Sequence, residues 1–166
     1  MTKSDGTVVC PGSYDPVTNG HLDIISRVSA VFGRVVVGVV NNPIRKQKTL
    51  FTAEERKAFI EEATSHIDNV EVQTFSNLLV EFARELEATA IVKGLRAISD
   101  FEYEFEMAQL NRKLDPTIES IYVIAAAQYS FLSSTGVKEM ATFKGDVSDL
   151  VPGPVAVAMA ERLGDR

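Results

Sequence analysis

Cysteine is nearly absent from this sequence, and it contains no long apolar stretch. The single Cys among 166 residues excludes an intramolecular disulfide framework and a Cys-rich zinc site, and it fits a reducing compartment. No run approaches the roughly 18 consecutive apolar residues of a membrane span, and residues 1–6 have no apolar segment of the secretory-signal kind. We therefore expect a cytoplasmic protein that does not associate with membranes.

Positively charged residues are also fewer than negatively charged ones. Lys plus Arg number 17 against 23 Asp plus Glu, which gives a net charge of −6. This balance argues against a protein that coats nucleic acid nonspecifically. Apolar residues are plentiful, at 45% of the chain, and support a packed core. At the ~150 residues of a typical domain, the length predicts one domain over residues 1–166.

Short apolar, β-branched runs alternate with amphipathic stretches along the chain. This pattern is typical of a parallel sheet with helical crossovers. We predict an α/β fold with a doubly wound, five-stranded parallel sheet and helices on both faces. The predicted strands are residues 7–10, 35–40, 70–74, 89–92 and 120–125.

The stretches between the strands carry helix signals. Apolar residues at three- and four-residue spacing from Ile24 to Phe32 predict a first helix that is capped by Gly33. Thr52 and Glu55 form a capping box for a second helix. Further helices are predicted over residues 78–87, from near Asp100 to before Pro116, and over residues 135–143 and 152–163.

Ligands of open α/β sheets bind beyond the carboxyl ends of the strands. The turn after the first strand delivers His21 into the first turn of a helix, where backbone amides and the helix dipole favour an anion. A histidine there can hydrogen-bond phosphate oxygens. The alternative is a capping or surface role for His21, since Thr18 and Asn19 are ordinary N-cap residues. The turn is neither a GxGxxG fingerprint nor a Walker A loop.

Three further strand ends carry polar residues. Arg45, Lys46 and Lys48 follow the second strand, and Lys93 and Arg96 flank Gly94 after the fourth. Both clusters are able to hold phosphate, although a solvated basic loop also explains the first. Residues 129–135, YSFLSST, run into a helix after the fifth strand. Their hydroxyls and backbone amides suit phosphate oxygens, and simple N-capping explains the serines as well.

Several of these segments together resemble one protein family. PGSYDP at residues 11–16 with TNGH at 18–21 is similar to the TxGH/HxGH signature of the nucleotidyltransferases. NLL at 77–79, KGLR at 93–96, DFEYE at 100–104 and YSFLSST at 129–135 resemble successive blocks of bacterial phosphopantetheine adenylyltransferases. The resemblance covers nearly the whole chain and implies a Rossmann-like fold.

The resemblance implies transfer of the adenylyl group of ATP to 4'-phosphopantetheine, giving dephospho-coenzyme A and pyrophosphate with the help of Mg²⁺. It also implies a homohexamer and makes feedback inhibition by coenzyme A an expectation. Two alternatives stay open: a transferase with the same ATP site and another phosphate acceptor, and a non-catalytic sensor of nucleotide or coenzyme A.

The family's site residues carry over to matching positions. His21 is expected to stabilise the transition state, and Ser13 to contact both ATP and the incoming phosphate. Lys93 and Leu79 are expected to bind phosphopantetheine. The expected ATP-binding residues are Ser13, Tyr14, His21, Gly94, Leu95, Arg96, Glu104, Tyr129, Ser130, Phe131, Leu132, Ser133, Ser134 and Thr135.

The loop after the second strand leaves a choice, because it is longer than the family's common form. Counting from Pro43 selects Arg45 as the residue that binds the substrate phosphate. Chemistry favours Lys46, because a compact ammonium on a flexible stem suits a reacting phosphate. We predict Lys46 as a catalytic and substrate-binding residue, with Arg45 as the alternative.

No metal ligand is predicted, because Mg²⁺ commonly binds nucleotide phosphates with few protein ligands. Asp15 and Glu104 are candidates, and a turn role explains Asp15 equally well. The aromatic stripe through Phe101, Tyr103 and Phe105 with Met107 fits either an interface between copies or an intradomain core.

Overall fold

A five-stranded parallel sheet forms the centre of the structure, a computed structural model that describes residues 4–44 and 48–164, with 98 and 99 described by their backbone alone. The strand order is β3-β2-β1-β4-β5, and all pairs are parallel. The strands are β1 Ser4–Gly12, β2 Phe32–Val40, β3 Val70–Phe75, β4 Ala90–Leu95 and β5 Glu119–Ile124. The predicted doubly wound α/β fold is confirmed.

Helices connect the strands as crossovers and close the chain. They are α1 Asn19–Val31, α2 Ala53–Thr64, α3 Leu79–Glu85, α4 Ile98–Leu114, α5 Ser134–Thr142 and α6 Gly153–Leu163, with a 3₁₀ turn at Ala127–Tyr129. The predicted Thr52–Glu55 capping box begins α2. Within residues 4–44 and 48–164, none of the helices combines the length and the apolar character of a membrane span.

Successive residues of the central strands point to opposite faces of the sheet, and both faces are covered. Val8, Cys10 and Val92 pack with α1 on one face, whereas Val9 and Ile91 pack with α3 on the other. Burial on both faces requires apolar residues at consecutive strand positions. This is why the strands appear in the sequence as continuous apolar runs.

The predicted helix cap at Gly33 is wrong. Helix α1 ends at Val31, and β2 begins directly at Phe32, whose backbone is extended (φ −105°, ψ 151°). Gly33 therefore lies within β2. A Cβ at this position would lie 3.0 Å from the backbone oxygen of Ser4, so a close approach between β1 and β2 accounts for the glycine.

Strand β4 also differs from its predicted bounds. It begins at Ala90 and continues to Leu95, so Lys93 and Gly94 lie inside the strand rather than after it. The pairing of residues 93–95 with Tyr122, Val123 and Ile124 of β5 extends the ladder. Helix α4 likewise begins at Ile98, before Asp100.

The connections place a crevice at the carboxyl edge of the sheet. From β1 the chain proceeds outward to β2 and β3, then returns to the other side of β1 to form β4 and β5. Neighbouring crossovers therefore diverge between β1 and β4. In doubly wound sheets, this switch point is where ligands bind.

Candidate active site

A cavity of about 440 Å³ opens at the carboxyl ends of β1 and β4, at the switch point of the sheet. It is formed by the end of β1 with the following turn, the start of α1, the end of β4, the first half of α4 and the start of α5. The lining residues are Cys10, Pro11, Gly12, Ser13, Tyr14, Gly20, His21, Ile24, Ile25, Val92, Lys93, Gly94, Arg96, Asp100, Tyr103, Glu104, Ala125, Ser133, Ser134 and Thr135.

The cavity brings together most of the residues proposed from the sequence. These are Ser13, Tyr14, His21, Lys93, Gly94, Arg96, Glu104, Ser133, Ser134 and Thr135. Asp100 and Tyr103 also line it, although sequence reasoning assigned them no ligand. Their signal was helical spacing: Asp100 lies four residues before Glu104, and Tyr103 lies three residues after Asp100, so Asp100 shares a helix face with each of them.

Other predicted residues lie outside the cavity lining. Leu95 is the last residue of β4, and Leu79 packs at the start of α3 against the apolar cluster on the other face. Leu132 is buried and Phe131 is exposed. Tyr129 and Ser130 lie at the 3₁₀ turn. The side chains of Arg45 and Lys46 lie outside the described residues.

His21 is oriented by the first turn of α1. Thr18 is the N-cap residue, and its hydroxyl accepts the His21 backbone N–H. In return, the Thr18 backbone N–H donates to His21 Nδ1 at 3.0 Å. Because a backbone N–H can only donate, Nδ1 is the acceptor and Nε2 carries the ring proton. The capping role of His21 is observed, and its geometry is compatible with the proposed functional role.

The Tyr14 side chain holds the imidazole from a second direction. The two rings meet edge to face, with centroids 5.0 Å apart and an interplanar angle of 73°. The Tyr14 hydroxyl donates to the Cys10 carbonyl at 2.9 Å. Burial raises the pKa of Tyr14 well above its ordinary value, so the phenol keeps its proton and this hydrogen bond.

Cys10 lies at the floor of the same cavity and is almost fully buried. Burial raises the pKa of its thiol to about 12. The thiol is therefore neutral at physiological pH. A neutral, buried thiol is a poor nucleophile, so Cys10 serves as a packing residue beneath the site.

Arg56, from α2, is fully buried beneath the turn that follows β1. Its guanidinium donates to the carbonyls of Ser13 at 2.6 Å, Val40 at 2.9 Å and Asn41 at 3.0 Å. It also donates to the carbonyls at the start of its own helix. Burial lowers the pKa of Arg56, but a guanidinium remains charged in proteins. Sequence reasoning missed this residue.

Asp15 is buried within the same turn. Its carboxylate accepts the backbone N–H groups of Leu50 and Phe51, both at 2.9 Å, and forms an ion pair with Lys138 at 2.9 Å. Burial alone would raise the pKa of Asp15, but the hydrogen bonds from Leu50, Lys138 and Phe51 together outweigh it and lower the pKa. Asp15 thus joins the turn to two other segments.

Two cations approach the cavity from the β4 side, and each contacts a carboxylate of α4. Lys93 Nζ lies 2.8 and 2.9 Å from the Glu104 carboxylate oxygens. Arg96 Nε lies 3.1 Å from Asp100 Oδ2, and its Nη1 donates to the Leu132 carbonyl at 2.8 Å. Arg96 therefore joins the end of β4 to α4 and to the segment before α5.

The N-terminus of α5 supplies another wall of the cavity. Ser133 is the N-cap, and its hydroxyl accepts the Gly136 backbone N–H at 3.0 Å. The Ser134 hydroxyl donates to the Pro16 carbonyl at 2.7 Å. Both hydroxyls therefore contribute to the fold. The backbone amides of the first turn, with the positive end of the helix dipole, remain the features suited to an anion.

Glycines allow these walls to approach each other. A Cβ at Gly94 would lie 3.1 Å from the Ile24 side chain, and one at Gly20 would lie 3.3 Å from Tyr129. Gly94 therefore accommodates α1 as well as any ligand.

Within the described residues, no group of three or more His, Cys, Asp or Glu side chains could hold a metal ion.

Comparisons with known proteins identify the family. Residues 9–140 match the family model described as cytidylyltransferase-like. The chain is 52% identical to a phosphopantetheine adenylyltransferase of Heliobacterium modesticaldum over 95% of this chain and 92% of the relative. It is 51% identical to one of Alkaliphilus metalliredigens over 93% of this chain and 97% of the relative.

A solved structure shares the fold at low sequence identity. It is described as a putative nicotinate-nucleotide adenylyltransferase from Vibrio parahaemolyticus, with a TM-score of 0.69 and 14% identity over 96% of this chain and 93% of that one. At this identity the likeness concerns the fold alone. Because the family model and both relatives cover most of the sequence, the chain belongs to the phosphopantetheine adenylyltransferases, within the cytidylyltransferase-like nucleotidyltransferases.

Proposed function

We propose that this chain transfers the adenylyl group of ATP to 4'-phosphopantetheine and releases dephospho-coenzyme A and pyrophosphate, a step of coenzyme A biosynthesis. The observation that carries the proposal is the cavity at the switch point. In it, His21, two cations and the N-terminus of α5 surround one space, in a chain about half identical to curated relatives of this name. The cytoplasm is the compartment that this function predicts.

The reaction needs no covalent enzyme intermediate. A phosphate oxygen of phosphopantetheine attacks the α-phosphorus of ATP, the new P–O bond forms, and the bond to the bridging oxygen of the β-phosphate breaks as pyrophosphate leaves. Catalysis then depends on positioning and on stabilising negative charge. The Nε2–H of His21 supplies a fixed donor to an oxygen of the α-phosphate as that charge develops.

The remaining residues divide between the two substrates. Arg96 and the first-turn amides of α5 lie on the sides of the cavity that suit the ATP phosphates, and Lys93 suits the phosphate of the acceptor. Glu104 and Asp100 compete with these phosphates for the same cations. Binding of each substrate is therefore proposed to exchange a carboxylate partner for a phosphate.

Mg²⁺, when bound, would neutralise part of the charge of the ATP phosphates. The donor set fits a metal held chiefly by the nucleotide. Asp15 is occupied by two backbone N–H groups and Lys138. Asp100 and Glu104 are the carboxylates that line the cavity, and few protein ligands are usual for this ion.

The basic loop after β2 is proposed to hold the phosphate of the acceptor. We expect Lys46→Ala to reduce kcat/KM for phosphopantetheine more than Arg45→Ala does, because the lysine ammonium is the better partner for a reacting phosphate. Steady-state kinetics of the two variants measures the ranking, with Lys57→Ala, a partly exposed lysine of α2 outside the cavity lining, as the matched control. The opposite order would assign the role to Arg45.

Helix α4 supports the proposal of a homohexamer. None of its described side chains is buried within the single chain, and Phe101, Phe105, Leu110 and Leu114 are about half exposed. A 17-residue helix that carries so many exposed apolar residues needs a partner surface. We propose that other copies of the chain cover these exposed apolar residues. The intradomain-core interpretation of the aromatic stripe does not fit the exposure of Phe101 and Phe105.

The decisive experiment measures pyrophosphate release from Mg-ATP with 4'-phosphopantetheine, nicotinamide mononucleotide, glycerol phosphate or no acceptor. Release with phosphopantetheine alone, together with formation of dephospho-coenzyme A, supports the proposal. Release with another acceptor would establish the alternative transferase. Binding of ATP or coenzyme A without release would favour the sensor. Titration with coenzyme A in the same assay tests feedback inhibition, which we propose because coenzyme A and the acceptor share the pantetheine arm.

A further inference from the structure

The turn after β1 and helix α5 are joined by an ion pair that lies behind the cavity. Lys138 Nζ lies 2.9 Å from Asp15 Oδ2. The Asp15 side chain is fully buried, and that of Lys138 is 24% exposed. Neither residue lines the cavity. A second contact, from the Ser134 hydroxyl to the Pro16 carbonyl at 2.7 Å, joins the same two segments.

The two segments carry adjoining walls of the site. Ser13 and Tyr14 directly precede Asp15, while Ser133, Ser134 and Thr135 begin the helix that carries Lys138. The distance between these walls is therefore fixed where Asp15 meets Lys138. In enzyme catalysis generally, a displacement of about 1 Å is able to reduce the rate a hundredfold.

The turn needs such support because its backbone is strained. Tyr14 has a φ of 46°, in the left-handed region that bulky residues rarely adopt. Strained conformations persist only where the surroundings fix them. Asp15 supplies that constraint on one side of Tyr14 through Leu50, Phe51 and Lys138.

Charge makes Lys138 the essential partner of Asp15. Two backbone N–H donors favour the ionised carboxylate, and a buried carboxylate also needs a neighbouring positive charge. Lys138 is in direct contact with it. Arg56 lies near enough to interact electrostatically but directs its donors to backbone carbonyls.

We propose that Asp15 and Lys138 are positioning residues for the reaction. Their ion pair fixes the position of the α5 N-terminus relative to the turn at Ser13 and Tyr14, so that both segments contact the ATP phosphates in a single arrangement. The inference rests on the proposed function. In this inference, Lys138 acts by positioning α5 and does not contact a ligand.

Lys138→Met tests the pair, because it removes the ammonium and keeps a long side chain. We expect kcat/KM for ATP to fall about tenfold, while KM for phosphopantetheine changes less, because Ser13 is the one proposed contact of the acceptor that lies on the two joined segments. Lys138→Arg should restore most of the loss, since a guanidinium also pairs with a carboxylate. Glu139→Gln, on an exposed position of the same helix, is the matched control and should behave as wild type.

Hydrogen exchange of the α5 amides supplies a readout that does not depend on activity. Lys138→Met should speed exchange in the first turn of α5, and Glu139→Gln should not. Unchanged exchange together with an unchanged kcat/KM for ATP would overturn the inference. If wild-type protein transfers nothing to phosphopantetheine, the proposed function fails, and the exchange measurement still decides whether the pair holds α5.

The double variant Asp15→Asn/Lys138→Met covers the case in which the single variant does not fold. It removes both charges and leaves no unpaired buried carboxylate. If the pair acts as one unit, the double variant should lose no more kcat/KM for ATP than Lys138→Met does. If Asp15→Asn is the only single variant that folds, the double variant is compared with Asp15→Asn instead. Losses that add would show two independent roles and contradict the proposal.

Discussion

At the scale of single residues, His21 carries the sharpest prediction. Its Nε2–H is the donor proposed for the transition state, so His21→Ala should reduce kcat by orders of magnitude and leave ATP affinity nearly intact. Steady-state kinetics and calorimetric ATP titration measure the two effects. His66→Ala is the control, because the chain has two histidines and His66 is exposed outside the cavity. Equal losses in affinity and rate would contradict the assigned role.

Arg56 yields a prediction about stability. Arg56→Lys keeps the charge, but an ammonium cannot reach the carbonyls of Ser13, Val40 and Asn41 together as the guanidinium does. Carbonyls left without donors should lower the free energy of unfolding by about 2–4 kcal/mol. Urea denaturation measures the change. Lys57→Arg, at the next position of α2, is the reverse substitution on a partly exposed side chain and should leave stability unchanged.

The sequence predicts site residues whose signal is local. His21 was found because the residues that cap its helix lie within three positions of it. Arg56 and Lys138 were not found, because their partners are distant: Ser13 is 43 residues from Arg56, and Asp15 is 123 residues from Lys138. Such contacts exist only once the sheet has brought the strand ends together.

At the scale of elements, the ion pair that connects α2 to α6 predicts that the stability of the fold is sensitive to acid. Arg162 forms an ion pair with Glu55 at 2.6 Å and donates to the Leu50 carbonyl at 2.7 Å. The hydrogen bond from Arg162 is the main cause that lowers the pKa of Glu55 to about 2 from 4.5. A lowered carboxyl pKa stabilises the fold above the unfolded value, and this contribution is lost as pH falls through the folded one.

Glu55→Gln should therefore flatten the pH dependence of stability between about pH 4.5 and 2. Glutamine retains the capping box, so the variant removes only the charge that faces Arg162. Urea denaturation across this pH range measures the slope. Glu54→Gln removes a charge from the same turn and should leave the slope as in wild type. An identical slope in wild type and Glu55→Gln would show that the ion pair contributes nothing.

Element boundaries that depend on neighbouring residues in the sequence were predicted well, whereas a boundary that depends on another strand was not. The Thr52–Glu55 box located the start of α2, and Pro116 correctly excluded continuation of α4. The boundary between α1 and β2 was misplaced because Gly33 suggested a cap. Glycine stands at position 33 because a side chain there would come too close to the backbone of Ser4, which belongs to β1.

At the scale of the whole molecule, the exposed apolar residues of α4 predict assembly. Phe105→Glu places a charge on the proposed interface and should shift the protein to smaller species. Light scattering after size-exclusion chromatography measures the mass. Lys113→Glu, a charge change near the other end of the same helix, is the control for nonspecific electrostatic effects. A wild-type protein that elutes as a monomer would remove the basis for the proposed hexamer.

The sequence predicted the architecture because both sheet faces are buried, which leaves uninterrupted apolar runs at the strands. It could not choose between core and interface for the α4 stripe, because Phe101 and Phe105 show the same spacing in either case. Only the exposure of those rings in the folded chain separates the two. The same limit applies to Leu79, whose family role says nothing about its packing on the other face.

The tyrosines at the cavity have an optical consequence. The chain has four Tyr and no Trp, and two of the four, Tyr14 and Tyr103, line the cavity. Tyrosine emission therefore comes in large part from the walls of the site, without the tryptophan signal that usually masks it. Phosphopantetheine contains no aromatic ring, so its entry can be followed by the emission of the unlabelled protein.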